Sequence, residues 1–167
     1  MKREQPSVRH LFGPPPGARV QDWLLLSCCG YGAYGVVYRA VRVGHEADGP
    51  VALKLALSPW DPRFMREVGL LSLLHHPSIP RMLGHGFWQN PQGLYFPFIL
   101  MEWVEGTPLY AWAREHTPTN RQLLQVLAQL ARALAATHAS GAVHRDVNVR
   151  QHVFEGWRAS FRAGGAG

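Results

Sequence analysis

The chain of 167 residues is poor in cysteine and lysine, and it has no long apolar run. Its two cysteines, Cys28 and Cys29, are adjacent and cannot staple distant segments. They read as reduced thiols in a packed strand, which excludes a disulfide scaffold. The strongest apolar run, "LYFPFILM", falls well short of the roughly 18 residues of a membrane span. The N-terminus "MKREQPSVRH" lacks the apolar stretch of a signal peptide. A cytoplasmic protein with no membrane partner is therefore expected. None of the nine histidines falls in an HExxH or CxxC…H spacing, so a zinc site is not expected. The net charge of +6 permits an acidic partner. The arginines are scattered singly, however, so a basic surface is expected rather than a nucleic-acid partner. Of 17 basic residues only Lys2 and Lys54 are lysines. A compact point charge is wanted at 54, where a planar guanidinium fork would not serve.

With 47% hydrophobic residues the chain can bury roughly 70% of its unfolded surface. Residues 1–19, with "GPPPG", read as a flexible tail. From Asp22 the texture changes. "WLLLSCCGYGAYGVVYRAVRV" reads as strand, glycine turn, strand, and "PVALKLAL" as a third strand. Asp61 and Pro62 suit the N-cap and first position of a helix, in which Phe64, Val68, Leu71 and Leu74 form an apolar stripe. "RMLGHGFWQ" and "GLYFPFILMEWV" pair as a hairpin across "NPQG". A helical texture follows. "TPLYAWAREH" is a short helix, and Thr119 caps a longer one with the stripe Leu123, Leu127, Leu130 and Leu134, stopped by Gly141.

Gly30, Gly32 and Gly35 punctuate "GYGAYGVV". A dinucleotide-binding fold would open a helix here, but "VVYRAVRV" continues as a strand. A glycine turn between antiparallel strands makes a flap whose N–H groups can close over phosphates, although an ordinary hairpin meets the same spacing. "VALK" places Lys54 on the next strand, and Glu67 sits among the apolar positions of the following helix, where it can pair with Lys54. A buried ion pair is costly unless it positions something.

Together, "GYGAYGVV", "VALK", Glu67, "MEWVEG" and "HRD" resemble the protein kinases, in particular bacterial kinases of the eukaryotic type with serine/threonine specificity. The resemblance runs from Trp23 to Asp146. It implies an α+β fold: a kinase-like N-lobe with a five-stranded antiparallel sheet and one helix, then a partial helical C-lobe. The expected division is a tail at 1–19, N-lobe and hinge at 20–104, partial C-lobe at 105–150 and an irregular tail at 151–167. The implied cofactors are ATP and Mg2+. Gly30, Gly32 and Gly35 would cover the phosphates, with Cys29 beside them in the nucleotide-binding set. Val37 and Ala52 would pack on the adenine, and Met101 would guard the back of the pocket. The Glu102 carbonyl and the Val104 N–H would bond the adenine edge. Lys54 would hold the α- and β-phosphates and Glu67 would hold Lys54. Asp146 would accept or orient the substrate hydroxyl proton, and Arg145 would meet a phosphorylated activation loop.

After Asp146 the sequence departs from the family's pattern. Asn148 stands where a lysine is expected. Gln151 stands where an asparagine should bind magnesium, which makes it the candidate metal ligand, one methylene too long for near-ideal octahedral geometry. The aspartates are Asp22, Asp48, Asp61 and Asp146, so no DFG occurs in these residues. "FEGWRASFRAGGAG" has neither strand alternation nor a helical stripe. A reading-frame change near Val147 is the expectation, with a genuine short module as the alternative. Two functions stay open. One is an ATP-dependent serine/threonine protein kinase acting on protein hydroxyls, with transfer by this chain expected near background. The other is a non-catalytic, pseudokinase-like module that binds nucleotide or a partner. The C-lobe helix, left without the partners of a complete C-lobe, is expected to make the chain marginally stable or self-associating.

Overall fold

The computed structural model of the chain describes residues 13–32, 35–77, 79–106, 109–139 and 141. These fall into two compact units, one built from residues up to Val68 and from Leu83–Met101, the other from Gly69–Met82 and from Glu102 onward.

The first unit is a six-stranded sheet in the order β1-β2-β3-β4-β6-β5, so the expected five strands gain a sixth. The strands are β1 (Arg19–Val20), β2 (Trp23–Gly32), β3 (Gly35–Arg42), β4 (Val51–Ala56), β5 (Met82–Gln89) and β6 (Tyr95–Glu102). The pairs β1–β2, β2–β3 and β3–β4 are antiparallel. β5 and β6 are neighbours joined by a tight turn, in which Asn90 Oδ1 accepts from the N–H groups of Gln92 and Leu94 and Gly93 takes φ +82°.

β4 is buried on both faces, so it reads as a continuous apolar run with Lys54 as its one charge. Alternate residues of a strand share a face. Val36, Tyr38, Ala40, Val51, Leu53, Leu55, Phe98 and Leu100 belong to one core cluster with Val20 and Leu25. The alternating positions Val37, Ala52, Lys54, Ile99 and Met101 therefore occupy the opposite face. The sheet curls on itself around the cluster, for Gln21, in the β1–β2 turn, donates to the Phe87 carbonyl of β5 at 2.9 Å.

The tail expected at 1–19 needs correction from residue 13 onward. Pro14 is buried, the Tyr38 hydroxyl donates to its carbonyl at 2.9 Å, and Arg19–Val20 pairs with β2. A proline-rich segment has few donors of its own, but its carbonyls are open acceptors, and a buried phenol needs one. A Cβ at Gly13 would collide with the Tyr38 hydroxyl, so glycine is needed for the close approach.

Helix α1 (Pro62–Leu73) starts as the sequence predicts, with Asp61 Oδ1 accepting from the Arg63 N–H at 2.9 Å. It turns Phe64 and Val68 inward, and the division between the units falls after Val68. In the second unit, α2 spans Leu109–His116 and α3 spans Asn120–Ala139. Thr119 and Gln122 form a reciprocal capping box: the Thr119 N–H reaches Gln122 Oε1 at 2.9 Å and the Gln122 N–H reaches Thr119 Oγ1 at 3.4 Å. Beyond α3, Gly141 takes φ +80° and its N–H bonds the His138 carbonyl. The buried residues of α3 are Val126, Ala133 and Thr137, whereas Leu123, Leu124 and Leu127 are exposed. The expected leucine stripe is thus not the buried stripe. Small Ala133 lets the helix pack closely against Leu74, Ile79 and Leu71, and Thr137 closes its hydroxyl onto the Ala133 carbonyl at 2.9 Å.

Candidate functional site

The site begins at Lys54. Its ammonium donates to both carboxylate oxygens of Glu67, at 2.7 and 2.9 Å. The lysine side chain is 7% exposed and the glutamate 31%. Taking an ammonium out of water is expensive, and a two-oxygen partner at this distance offsets much of that cost. α1 supplies Glu67 from the face that also carries Phe64, and the Lys54 Nζ lies 5.7 Å from the centroid of the Phe64 ring.

The flap is the β2–β3 hairpin. Gly30 pairs with Val37, Tyr31 with Val36, and Gly32 with Gly35, while residues 33 and 34 at its tip lie outside those described. The register slips between Leu25 and Ser27 and again between Cys28 and Gly30, which leaves Leu26 and Cys29 as bulge residues. Cys28 packs against the core cluster, and Cys29 stays half-buried beside the glycines. Gly35 has a reason of its own to be glycine. A Cβ there would come within 2.8 Å of the Leu55 carbonyl and 3.3 Å of Lys54 Cγ. The return strand of the flap thus lies directly against the strand that carries the lysine.

Val37 pairs with Lys54 and Arg39 with Ala52, so Val37 and Ala52 stand on the lysine's face. Met101, 3% exposed, shares that face from β6. The structure brings Gly30, Gly32, Gly35, Val37, Ala52, Lys54, Glu67 and Met101 into one unit. Glu102 and Val104 belong to the second unit, where the Glu102 N–H donates to the Arg81 carbonyl at 2.9 Å. Arg145, Asp146, Asn148 and Gln151 lie outside the described residues. Among the described residues, no group of three or more His, Cys, Asp or Glu side chains is placed to hold a metal ion. Nor is any helix among them long and apolar enough to cross a membrane. Sequence reading missed Phe64 as a neighbour of the lysine. The signal was present, since Phe64 sits one helical turn before Glu67.

A buried, ion-paired ammonium on a β-strand, under a glycine hairpin and beside an apolar face, can hold a polyanion attached to a flat apolar group. Comparison with known proteins gives the family. A family model described as protein tyrosine and serine/threonine kinase matches residues 25–155, and the chain belongs to the protein kinase family. Its sequence relatives include serine/threonine-protein kinases. It is 32% identical over 123 residues to serine/threonine-protein kinase PknB of Mycobacterium tuberculosis, covering 71% of this chain and 20% of that protein. It is 36% identical over 124 residues to PknK of the same organism, covering 71% of this chain and 11% of that protein. The crystal structure of the M. tuberculosis PknI kinase domain superposes with a TM-score of 0.60 at 27% identity, covering 81% of this chain and 56% of that domain. The apo form of PpkA-294 has a TM-score of 0.64 at 20% identity, a likeness of fold alone.

Proposed function

We propose that this chain carries the nucleotide-binding part of an ATP-dependent serine/threonine protein kinase. The observation that carries the proposal is the Lys54–Glu67 pair, at 2.7 and 2.9 Å, in a strand otherwise apolar on both faces. A lysine that served stability alone would be better replaced by a packed apolar residue. In this reading Lys54 holds the α- and β-phosphates, Glu67 fixes its ammonium, and the Gly30–Gly32–Gly35 flap with Cys29 covers them. Val37, Ala52 and Met101 receive the adenine, and Glu102 and Val104 bond its edge. The residues present fit ATP: apolar Val37, Ala52 and Met101 share a face with the fixed Lys54 cation, Arg39 stands two residues beyond Val37 on that face, and Gly35 brings the flap strand close to Lys54. When bound, ATP supplies the phosphoryl group. Asp146 orients the protein hydroxyl that receives it.

Titration calorimetry tests this reading. Lys54→Met is expected to weaken ATP by about tenfold or more, in line with a charge-assisted contact worth roughly 1.5–3 kcal/mol, and to leave adenosine within about twofold. Equal losses for both ligands would remove the lysine from the phosphates.

A second reading, a nucleotide-binding module without transfer, is favoured by Gln151 in place of the magnesium-binding asparagine. A displaced electrostatic group at a reacting centre typically costs about 10²–10³ in rate. Labelled-ATP transfer to a basic protein, compared with an Asp146→Ala control, separates the two readings. Transfer above the control supports the kinase, and transfer equal to it supports the module.

A further inference from the structure

Lys54 is held from two sides. Glu67 takes the ammonium at 2.7 and 2.9 Å. From α1 the Phe64 ring, itself 1% exposed, faces the same ammonium at 5.7 Å from centroid to Nζ. An aromatic face within about 6 Å attracts a cation through its quadrupole, and the attraction grows where water is excluded. The two partners differ in access. The Glu67 side chain is 31% exposed and shared with water, whereas the ring is sealed. An aliphatic side chain such as those of Val68 and Leu71 on the same stripe would fill this position with apolar bulk and give the ammonium nothing.

We propose that Phe64 is a positioning residue for the nucleotide: its π-face holds the Lys54 ammonium in place so that a donor not engaged by Glu67 remains aimed at the phosphates. An ammonium has three donors, and the two Glu67 oxygens engage two. The proposal rests on the nucleotide-binding reading above. It separates ring electrostatics from ring volume, which ordinary core packing does not.

The test replaces Phe64 by mono-, di- and trifluorophenylalanine in the full chain, keeping shape and apolar bulk while draining the π-face. ATP and adenosine are titrated by calorimetry beside Lys54→Met and Phe64→Leu. ATP affinity is expected to fall stepwise with fluorination, by about 3–10-fold over the series, with adenosine within about twofold. Phe64→Leu is expected to match the end of the series in its ATP-to-adenosine ratio. If ATP affinity is flat across the series while Lys54→Met still weakens ATP selectively, Phe64 is packing only and the proposal is wrong. The same holds if fluorination weakens ATP and adenosine alike. If Lys54→Met itself fails to separate the two ligands, the nucleotide-binding reading falls, and this proposal falls with it.

Discussion

The two units bury their apolar residues by different rules. In the sheet, Val36, Tyr38, Leu53, Leu55 and Phe98 are almost completely buried, and the neighbours of each side chain follow from odd or even position along a strand. In the helical unit, α3 is apolar over more than one face, and only Val126, Ala133 and Thr137 are buried while Leu124 is 67% and Leu127 54% exposed. A pleat admits two answers, and an internal core selects one. A helix with leucines all round admits several, and the sequence period does not rank them.

That contrast gives the largest expected effect. Leu53→Ala should cost about 2–5 kcal/mol, because Leu53 is 0% exposed in a close-packed cluster. Leu127→Asp should stay within about 0.5 kcal/mol and raise solubility by breaking an exposed apolar patch. Urea unfolding of the two variants decides the matter. If Leu127→Asp costs as much as Leu53→Ala, the leucine face of α3 is covered in solution, as self-association would have it.

The next effect lies within the sheet unit and concerns charge. Glu67→Ala leaves the Lys54 ammonium buried with its carboxylate gone, and should destabilise by about 1–3 kcal/mol once the partial exposure of Glu67 is allowed for. Lys54→Met removes the charge and fills the space, so it should be neutral or stabilising while it abolishes phosphate selectivity. Thermal melts of both variants would refute this if Lys54→Met proved the more damaging.

What could be read from the sequence follows the same division. The start of α1 at Asp61 and Pro62, the Thr119 cap, the Gly141 stop and the turn at Asn90 were legible because each rests on neighbours a few residues apart. Lys54 and Glu67 were legible because Lys54 is one of only two lysines in an arginine-rich chain and one glutamate interrupted an apolar stripe. Three features were not. Pro14 resembles linker until a distant Tyr38 hydroxyl claims its carbonyl. The approach of the β1–β2 turn to β5, where Gln21 reaches Phe87, is announced by no local pattern. The packing of Ala133, rather than the leucines, with Leu71, Leu74 and Ile79 is a contact with a distant segment that the helix period does not rank.

A third expectation concerns the docking of the Pro14 segment onto Tyr38, which the sequence reading missed. Burial raises the pKa of the Tyr38 phenol far above its ordinary range, with Cys28 and Tyr31 adding to the effect. A group whose folded pKa is raised contributes stability that is complete below the unfolded value, about 10 for tyrosine, and lost as pH rises beyond it. Above that pH the unfolded chain ionises while the folded one keeps its proton. The stability of the native chain should therefore fall more steeply above about pH 10 than that of Tyr38→Phe. At neutral pH Tyr38→Phe should cost about 1 kcal/mol, through the lost bond to Pro14. Parallel alkaline profiles of the two proteins would refute the burial of Tyr38 beneath the Pro14 segment.

The smallest effect contrasts two glycines on either side of the division between the units. Gly69 lies inside α1, and a Cβ built there meets nothing within 4 Å. Glycine in a helix interior forfeits about 0.5–1 kcal/mol relative to alanine, because the unfolded chain has more freedom to lose. Gly69→Ala should therefore raise stability by that amount without touching the site. Gly35→Ala is the opposed case, since its Cβ would press on the Leu55 carbonyl at 2.8 Å and on the lysine stem at 3.3 Å. Backbone cannot yield as a flexible side chain can, so this change should lower the melting temperature and loosen ATP binding together. If Gly69→Ala destabilises, α1 is pressed closer to a neighbour than its open surface indicates. If Gly35→Ala is silent in both readouts, the flap strand does not lie against β4, and the glycines of the loop serve the turn alone.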